Sequence, residues 1–145
     1  MSRSADEKAD IAINAMVSAA VVFAAAPGPV NWAAFSTALG GGVVAIGLCY
    51  GVTITRSEGW KLVKQFVLGA GFTFVALNVG SKLFAVLLSL TGFGYVVGVA
   101  LDAAISSAIA YAVGESARAY FKGEHNKKEL GRIFVSNFKN RASPI

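Results

Sequence analysis

Residues 11–55 read IAINAMVSAAVVFAAAPGPVNWAAFSTALGGGVVAIGLCYGVTIT, and none of them carries a charge. A helix with one face to water shows polar residues at regular three- and four-residue intervals, and this stretch has almost none. Ala26-Pro27-Gly28-Pro29 interrupts it. Proline lacks an amide hydrogen and drives its predecessor out of the helical region, while the glycine between two prolines tolerates the angles of a sharp reversal. The reading is an apolar hairpin turning at Pro27, Gly28 and Pro29, with arms over Ile11–Ala26 and from Val30 to about Thr53. A membrane-crossing helix needs roughly 20 apolar residues, so the second arm is long enough to span and the first is marginal. The triple glycine at Gly40, Gly41 and Gly42 and the Tyr50-Gly51 ending fit a packed or re-entrant hairpin equally well.

The remainder of the 145-residue chain continues in the same vein, with 55% hydrophobic and 14% charged residues and a mean hydropathy of +0.61. Such a composition departs from that of a soluble enzyme, which needs polar groups to cover its surface. The net charge of +5 comes from cations beside apolar runs: Arg56, Lys61 and Lys64 around Trp60, then Lys127, Lys128 and Arg132. Cations and indole so placed are the pattern of a membrane interface bearing anionic lipid; no nucleic-acid motif accompanies them. The single Cys49 allows no disulfide within the chain. Three parts result: a polar segment over 1–10, either a disordered start or a first polar helical turn; a hydrophobic helical membrane domain over 11–122; and a basic amphipathic tail over 123–145.

After the hairpin, Ser57 and Glu58 read as a helix start, and Trp60, Val63, Val67, Ala70, Phe74 and Leu77 recur on one helical face. Leu83–Leu90 is apolar but too short to span, and Thr91-Gly92-Phe93-Gly94 breaks the pattern. Tyr95 to about Lys122 reads as one long helix. Gly94 and Gly98 are four residues apart, and Ala100, Ala104, Ala108, Ala112 and Ser116 repeat at the same interval. Gly47 and Gly51 share that spacing in the hairpin. Small residues every fourth position let helices approach closely, within the chain or between copies, so Ala108→Leu or Gly98→Leu is expected to disrupt self-association. Asp102 is the one charged residue between Lys82 and Glu115 and reads as a buried polar contact or an interface marker.

Catalytic patterns are missing. The chain holds no glycine-rich phosphate loop, no nucleophile elbow and no pair of carboxylates in a shared polar setting. His125 is isolated, which leaves no metal site. The expectation is a non-enzymatic protein without cofactor.

Ala26-Pro27-Gly28-Pro29, the apolar arm ending Tyr50-Gly51-Val52, a lysine-bearing helix, Thr91-Gly92-Phe93-Gly94, and then Ala108-Ile109-Ala110-Tyr111-Ala112-Val113-Gly114 with Tyr120-Phe121 together resemble the hydrophobic helical domain of unknown function found after Era-like GTPase domains and in YcjF-like membrane proteins. The likeness covers roughly Ile11 to Lys122. Where that family commonly shows an acid after its first Pro-x-Pro turn, Asn31 and Trp32 stand here. The resemblance implies an all-helical, membrane-associated module that works with a GTPase, which for this chain would be a separate protein. Residues and resemblance together lead to an all-α protein of about four to five helices, an apolar hairpin plus a long Ala/Gly-rich helix. Its expected role is that of a self-associating homo-oligomer that anchors, shapes or permeabilises an anionic bilayer, with its basic regions on the cytoplasmic side. A pore lined by the glycine-rich faces and Asp102, and a soluble bundle sequestering lipid or another apolar ligand, are the alternatives.

Overall fold

Three helices begin at the same kind of signal, a small polar residue followed three positions later by glutamate. The structure, a computed structural model, describes residues 4–24, 29–76 and 103–142, and these form five helices and no strand. Helix α1 (Ala5–Ala24) starts at Ser4, whose Oγ accepts the Glu7 amide at 3.2 Å. Helix α3 (Arg56–Ala76) starts at Thr55: its Oγ1 accepts the Glu58 amide at 3.1 Å, and the Glu58 carboxylate takes the Thr55 amide at 3.1 Å. The cap is therefore Thr55 rather than Ser57, because only Thr55 stands three residues ahead of the glutamate that closes the box. Helix α5 (Lys127–Ala142) starts at Asn126, whose Oδ1 accepts the Glu129 amide at 3.1 Å.

Helix α2 (Pro29–Cys49) opens on proline, where a missing amide hydrogen costs nothing. It ends on a Schellman motif. Gly51 adopts φ +76°, its amide reaches the Leu48 carbonyl at 3.1 Å, and the Val52 amide reaches the Gly47 carbonyl at 2.9 Å. Helix α4 (Ala103–Phe121) closes identically, with Gly123 at φ +119°, the Gly123 amide on Tyr120 and the Glu124 amide on Ala119. Gly51 thus ends a helix instead of lining a contact between helices; nothing lies within 4 Å of a methyl group placed there.

The expected hairpin is present as α1 and α2, which pack against each other. Met16 lies on Gly42 and Asp6 reaches Tyr50, so the two run antiparallel. Pro27 and Gly28 of the turn lie outside the described residues, as do Gly94, Gly98, Ala100 and Asp102. Helix α1 begins well before Ile11, which places residues 5–10 in its first turns. Around the bundle α1 neighbours α2, α2 neighbours α3, α3 neighbours α5, and α4 lies between α5 and α1 while also touching α2 and α3. Helix α4 is enclosed over most of its surface, with Ala108, Ile109, Ala110, Ala112, Val113 and Ala117 all buried. Its remaining side, with Tyr111, Glu115, Arg118 and Lys122, is partly open to solvent.

Side chains too bulky for these spacings are absent where helices cross. A methyl group on Gly59 of α3 would sit 2.7 Å from the Gly40 carbonyl oxygen of α2, and one on Gly131 of α5 would sit 2.5 Å from that of Gly69 in α3. Gly114 of α4 leaves room for Ile13 and Met16, and Gly47 for the Phe121 ring. Among the described residues no helix is long and apolar enough to cross a membrane. The second arm of the hairpin, expected to be long enough to span, instead places Leu39, Val43 and Ile46 in the core.

The glycine contacts predict opposite outcomes for one kind of substitution. Gly131→Ala should destabilise the fold by about 1–3 kcal/mol, because the Gly69 backbone cannot yield as a side chain would. Gly41, with nothing within 4 Å, should gain about 0.5–1 kcal/mol on Gly41→Ala from helix propensity alone. Chemical denaturation of both variants checks the sign.

Candidate functional site

The small-residue ridge is used inside the chain. Ala108, Ala112 and Ser116 are fully buried, and Ala104 lies in the first turn of α4. Among the described residues the Ser116 hydroxyl has no hydrogen-bond partner, so the packing there rests on its size. Leucine at Ala108 would therefore overpack the single chain before it could test contact between copies.

The basic tail is likewise occupied on its apolar side. Helix α5 buries Leu130, Phe134, Val135 and Phe138 as it packs on α3 and α4. Burying each of the large side chains is worth about 1.5–3 kcal/mol, a sum that holds the helix on the bundle rather than free for another surface. Lys127, Lys128 and Arg132 face outward. Arg132 meets Glu129 one turn away at 3.4 Å, an exposed pair of the kind worth about 0–1 kcal/mol.

On α3, Arg56, Trp60 and Lys64 fall one turn apart along the helix, with Lys61 exposed beside them. The Trp60 indole is half-buried and packs against the core, and the Lys64 ammonium stands 5.9 Å from its ring centroid. The indole is thus held by the bundle on one side and by a cation on the other. Because α3 and α5 are neighbours, the two basic patches that the sequence separates by sixty residues belong to adjoining helices.

A third cluster escaped the sequence reading. Asp6 and Asp10 of α1, Tyr50 just beyond α2, and Glu115, Arg118 and Lys122 of α4 meet at one end of the bundle. The Arg118 guanidinium, 17% exposed, pairs with Asp10, with Glu115 at 3.3 Å and with Asp6 at 3.9 Å. Lys122 reaches Asp6 at 3.4 Å, and the Tyr50 hydroxyl donates to the same carboxylate. Hydrogen bonds from Tyr50 and Lys122 hold Asp6 below the usual carboxylate range. Burial raises Glu115. Burial also opposes the Arg118 charge, but the hydrogen bond to Asp10 and the charges of Glu115 and Asp10 outweigh it and raise the guanidinium. Two acids four residues apart on α1 and two bases four residues apart on α4 were the available signal; what was missing was the knowledge that these helices touch.

Chemically this cluster is a clasp. Its three carboxylates share two cations and a phenol, and among the described residues no group of His, Cys, Asp and Glu is placed to hold a metal ion. His125 stacks on Tyr120 with centroids 4.4 Å apart.

Fold and surface together define a compact all-helical module with a cationic side on α3 and α5 and an ionic clasp joining α1, α2 and α4. The family model described as Domain of unknown function (DUF697) matches residues 2–142, and the chain belongs to that family. The resemblance read from the sequence is thereby established for the domain, while its association with GTPases is not part of the match. No curated protein and no solved structure matches the chain.

Tyr50 supplies a pH test. Burial and the hydrogen bond to Asp6 push its phenol up to about 12, from 10.0. A group whose folded value is raised contributes stability in full below its unfolded value and loses it as pH rises through the folded one. Wild type should therefore lose stability relative to Tyr50→Phe between about pH 10 and pH 12. Asp6, Arg118 and Lys122 face Tyr50 in both proteins, so the difference in melting temperature isolates the phenol; a constant difference across that window would exclude it.

Proposed function

We propose that this chain is a non-enzymatic membrane module that attaches to an anionic bilayer and anchors or shapes it, associating with further copies of itself. The observation that carries this reading is a mismatch. The five helices spend their apolar faces on one another, yet between α3 and α4 residues 83–101 carry no charge at all, bounded by Lys82 and Asp102. Broken at residues 91–94, this stretch offers apolar runs too short to span but able to enter hydrocarbon from one side. The bundle adds exposed cations on α3 and α5 for the headgroups. Since Ala108, Ala112 and Ser116 are buried within the chain, contact between copies falls to Gly94, Gly98 and Ala100. A GTPase partner is implied by the resemblance only.

Flotation with vesicles of mixed phosphatidylglycerol and phosphatidylcholine tests attachment. The protein should rise with the vesicles, and recovery in the aqueous fraction without detergent would overturn the reading. Lysine at Leu87 or Val97 should weaken attachment, since a cation in hydrocarbon costs about 2.5–3.5 kcal/mol. Dye-loaded vesicles should stay tight at saturating protein; leakage would convert the anchor into a pore.

A further inference from the structure

Helices α2 and α3 part on either side of their crossing at Gly40 and Gly59 to leave a groove of about 380 Å³, at the small end of ligand-sized pockets. Hydroxyls of Ser36 and Thr37 line one wall, Arg56, Ser57 and Trp60 the other, and Gly40 and Gly41 leave the floor free of side chains. No carboxylate is among these residues. We infer that this groove binds the phosphate headgroup of an anionic phospholipid, with Arg56 as the phosphate ligand and Trp60 as the amphipathic wall; the inference rests on the membrane reading above and names the site by which the module would recognise lipid.

The state of the arginines carries the argument. Arg118 is held by three carboxylates and Arg132 by one, whereas Arg56 is exposed and has no carboxylate partner among the described residues. The nearest acid, Glu58, is turned to the Thr55 amide and hydroxyl at 3.1 and 3.0 Å. Among the described residues no carboxylate draws on the guanidinium that borders the groove, and its planar fork matches two oxygens of a phosphate. The Ser36 and Ser57 hydroxyls add neutral donors. The helix terminus itself is not the ligand, because the capping box already engages the first turn of α3.

Trp60 distinguishes lipid from free phosphate. A solvated inorganic anion has no use for an apolar wall, whereas the glycerol region below a headgroup presents an apolar and a polar surface together, which an indole matches. Lys64, 5.9 Å from the ring, extends the cationic edge away from the groove.

Partition of the full chain carrying Trp32→Phe, which leaves Trp60 as the emitting indole, into phosphatidylglycerol/phosphatidylcholine vesicles, followed by flotation and by tryptophan emission, tests the site. Arg56→Gln should weaken partition about tenfold and abolish the blue shift of Trp60, and Arg56→Lys should recover only part of both, since the charge returns without the fork. Lys128→Gln, which removes an equal charge on the neighbouring helix, should weaken partition less and keep the blue shift. Arg56 is exposed, so unchanged melting temperatures are expected for its variants. If Arg56→Gln and Lys128→Gln weaken partition equally and both keep the blue shift, the groove is overturned and attachment is general electrostatics, with the membrane reading intact. Emission changes with inorganic phosphate alone that suppress vesicle binding would also overturn a lipid site. A wild-type chain that binds no vesicle removes both readings.

Discussion

Contact between bare backbones at helix crossings is the constraint on which this bundle depends. At Gly40–Gly59 and Gly69–Gly131 one helix's carbonyl oxygen occupies the space that a side chain would need on the other. A chain with so few polar positions has weak means of telling its helices which face to turn inward, because nearly every face is apolar. Glycine supplies that information sterically: a crossing that admits only glycine has one register. Elsewhere the core is filled by Phe66, Phe134, Phe138, Ile109 and smaller residues, whose burial drives collapse but is less selective about geometry.

Charge is arranged around this core with two different outcomes. On α1 and α4 the acids and bases pair with one another in a clasp whose Asp6, Asp10 and Lys122 are exposed and whose Arg118 and Glu115 are partly buried beneath them. On α3 and α5 the cations stay outward, and the one acid pairing with them, Glu129 on Arg132, is an exposed contact within a single helix. Exposed cations are thus concentrated on α3 and α5, with Lys8 and Lys122 on the other helices. A surface that presents cations, a half-buried indole and an unpaired arginine beside a hydroxyl-lined groove is suited to an anionic, amphipathic partner, and this is the physical basis for assigning lipid contact to α3.

The all-helical class, the antiparallel pair around Pro27–Pro29, and the amphipathic character of α5 were all legible in residue order, because each depends on local chemistry: proline and glycine at a reversal, apolar residues at three and four. The tail over 123–145 reads as basic and amphipathic, but what its apolar side covers, through Leu130, Phe134 and Phe138, is not legible in it. Gly51 was read as a packing residue because its spacing from Gly47 suits one, whereas the chain uses its left-handed conformation to end α2. The clasp at Arg118 was illegible for the opposite reason: its members lie up to 116 positions apart, and no local rule joins Asp6 to Lys122.

Sequence by itself therefore determined that this chain is helical, that its charges lie between long uncharged stretches, and which family it resembles. Tertiary structure alone decided that the alanine ridge of α4 serves the interior of one chain, that the tail docks on α3, and that Arg118 is paired while Arg56 has no carboxylate partner among the described residues. The physical reason is that helix formation is fixed by neighbours within about four residues, whereas burial and ion pairing depend on which helices meet, and in an almost uniformly apolar chain that choice is made by shape at the crossings.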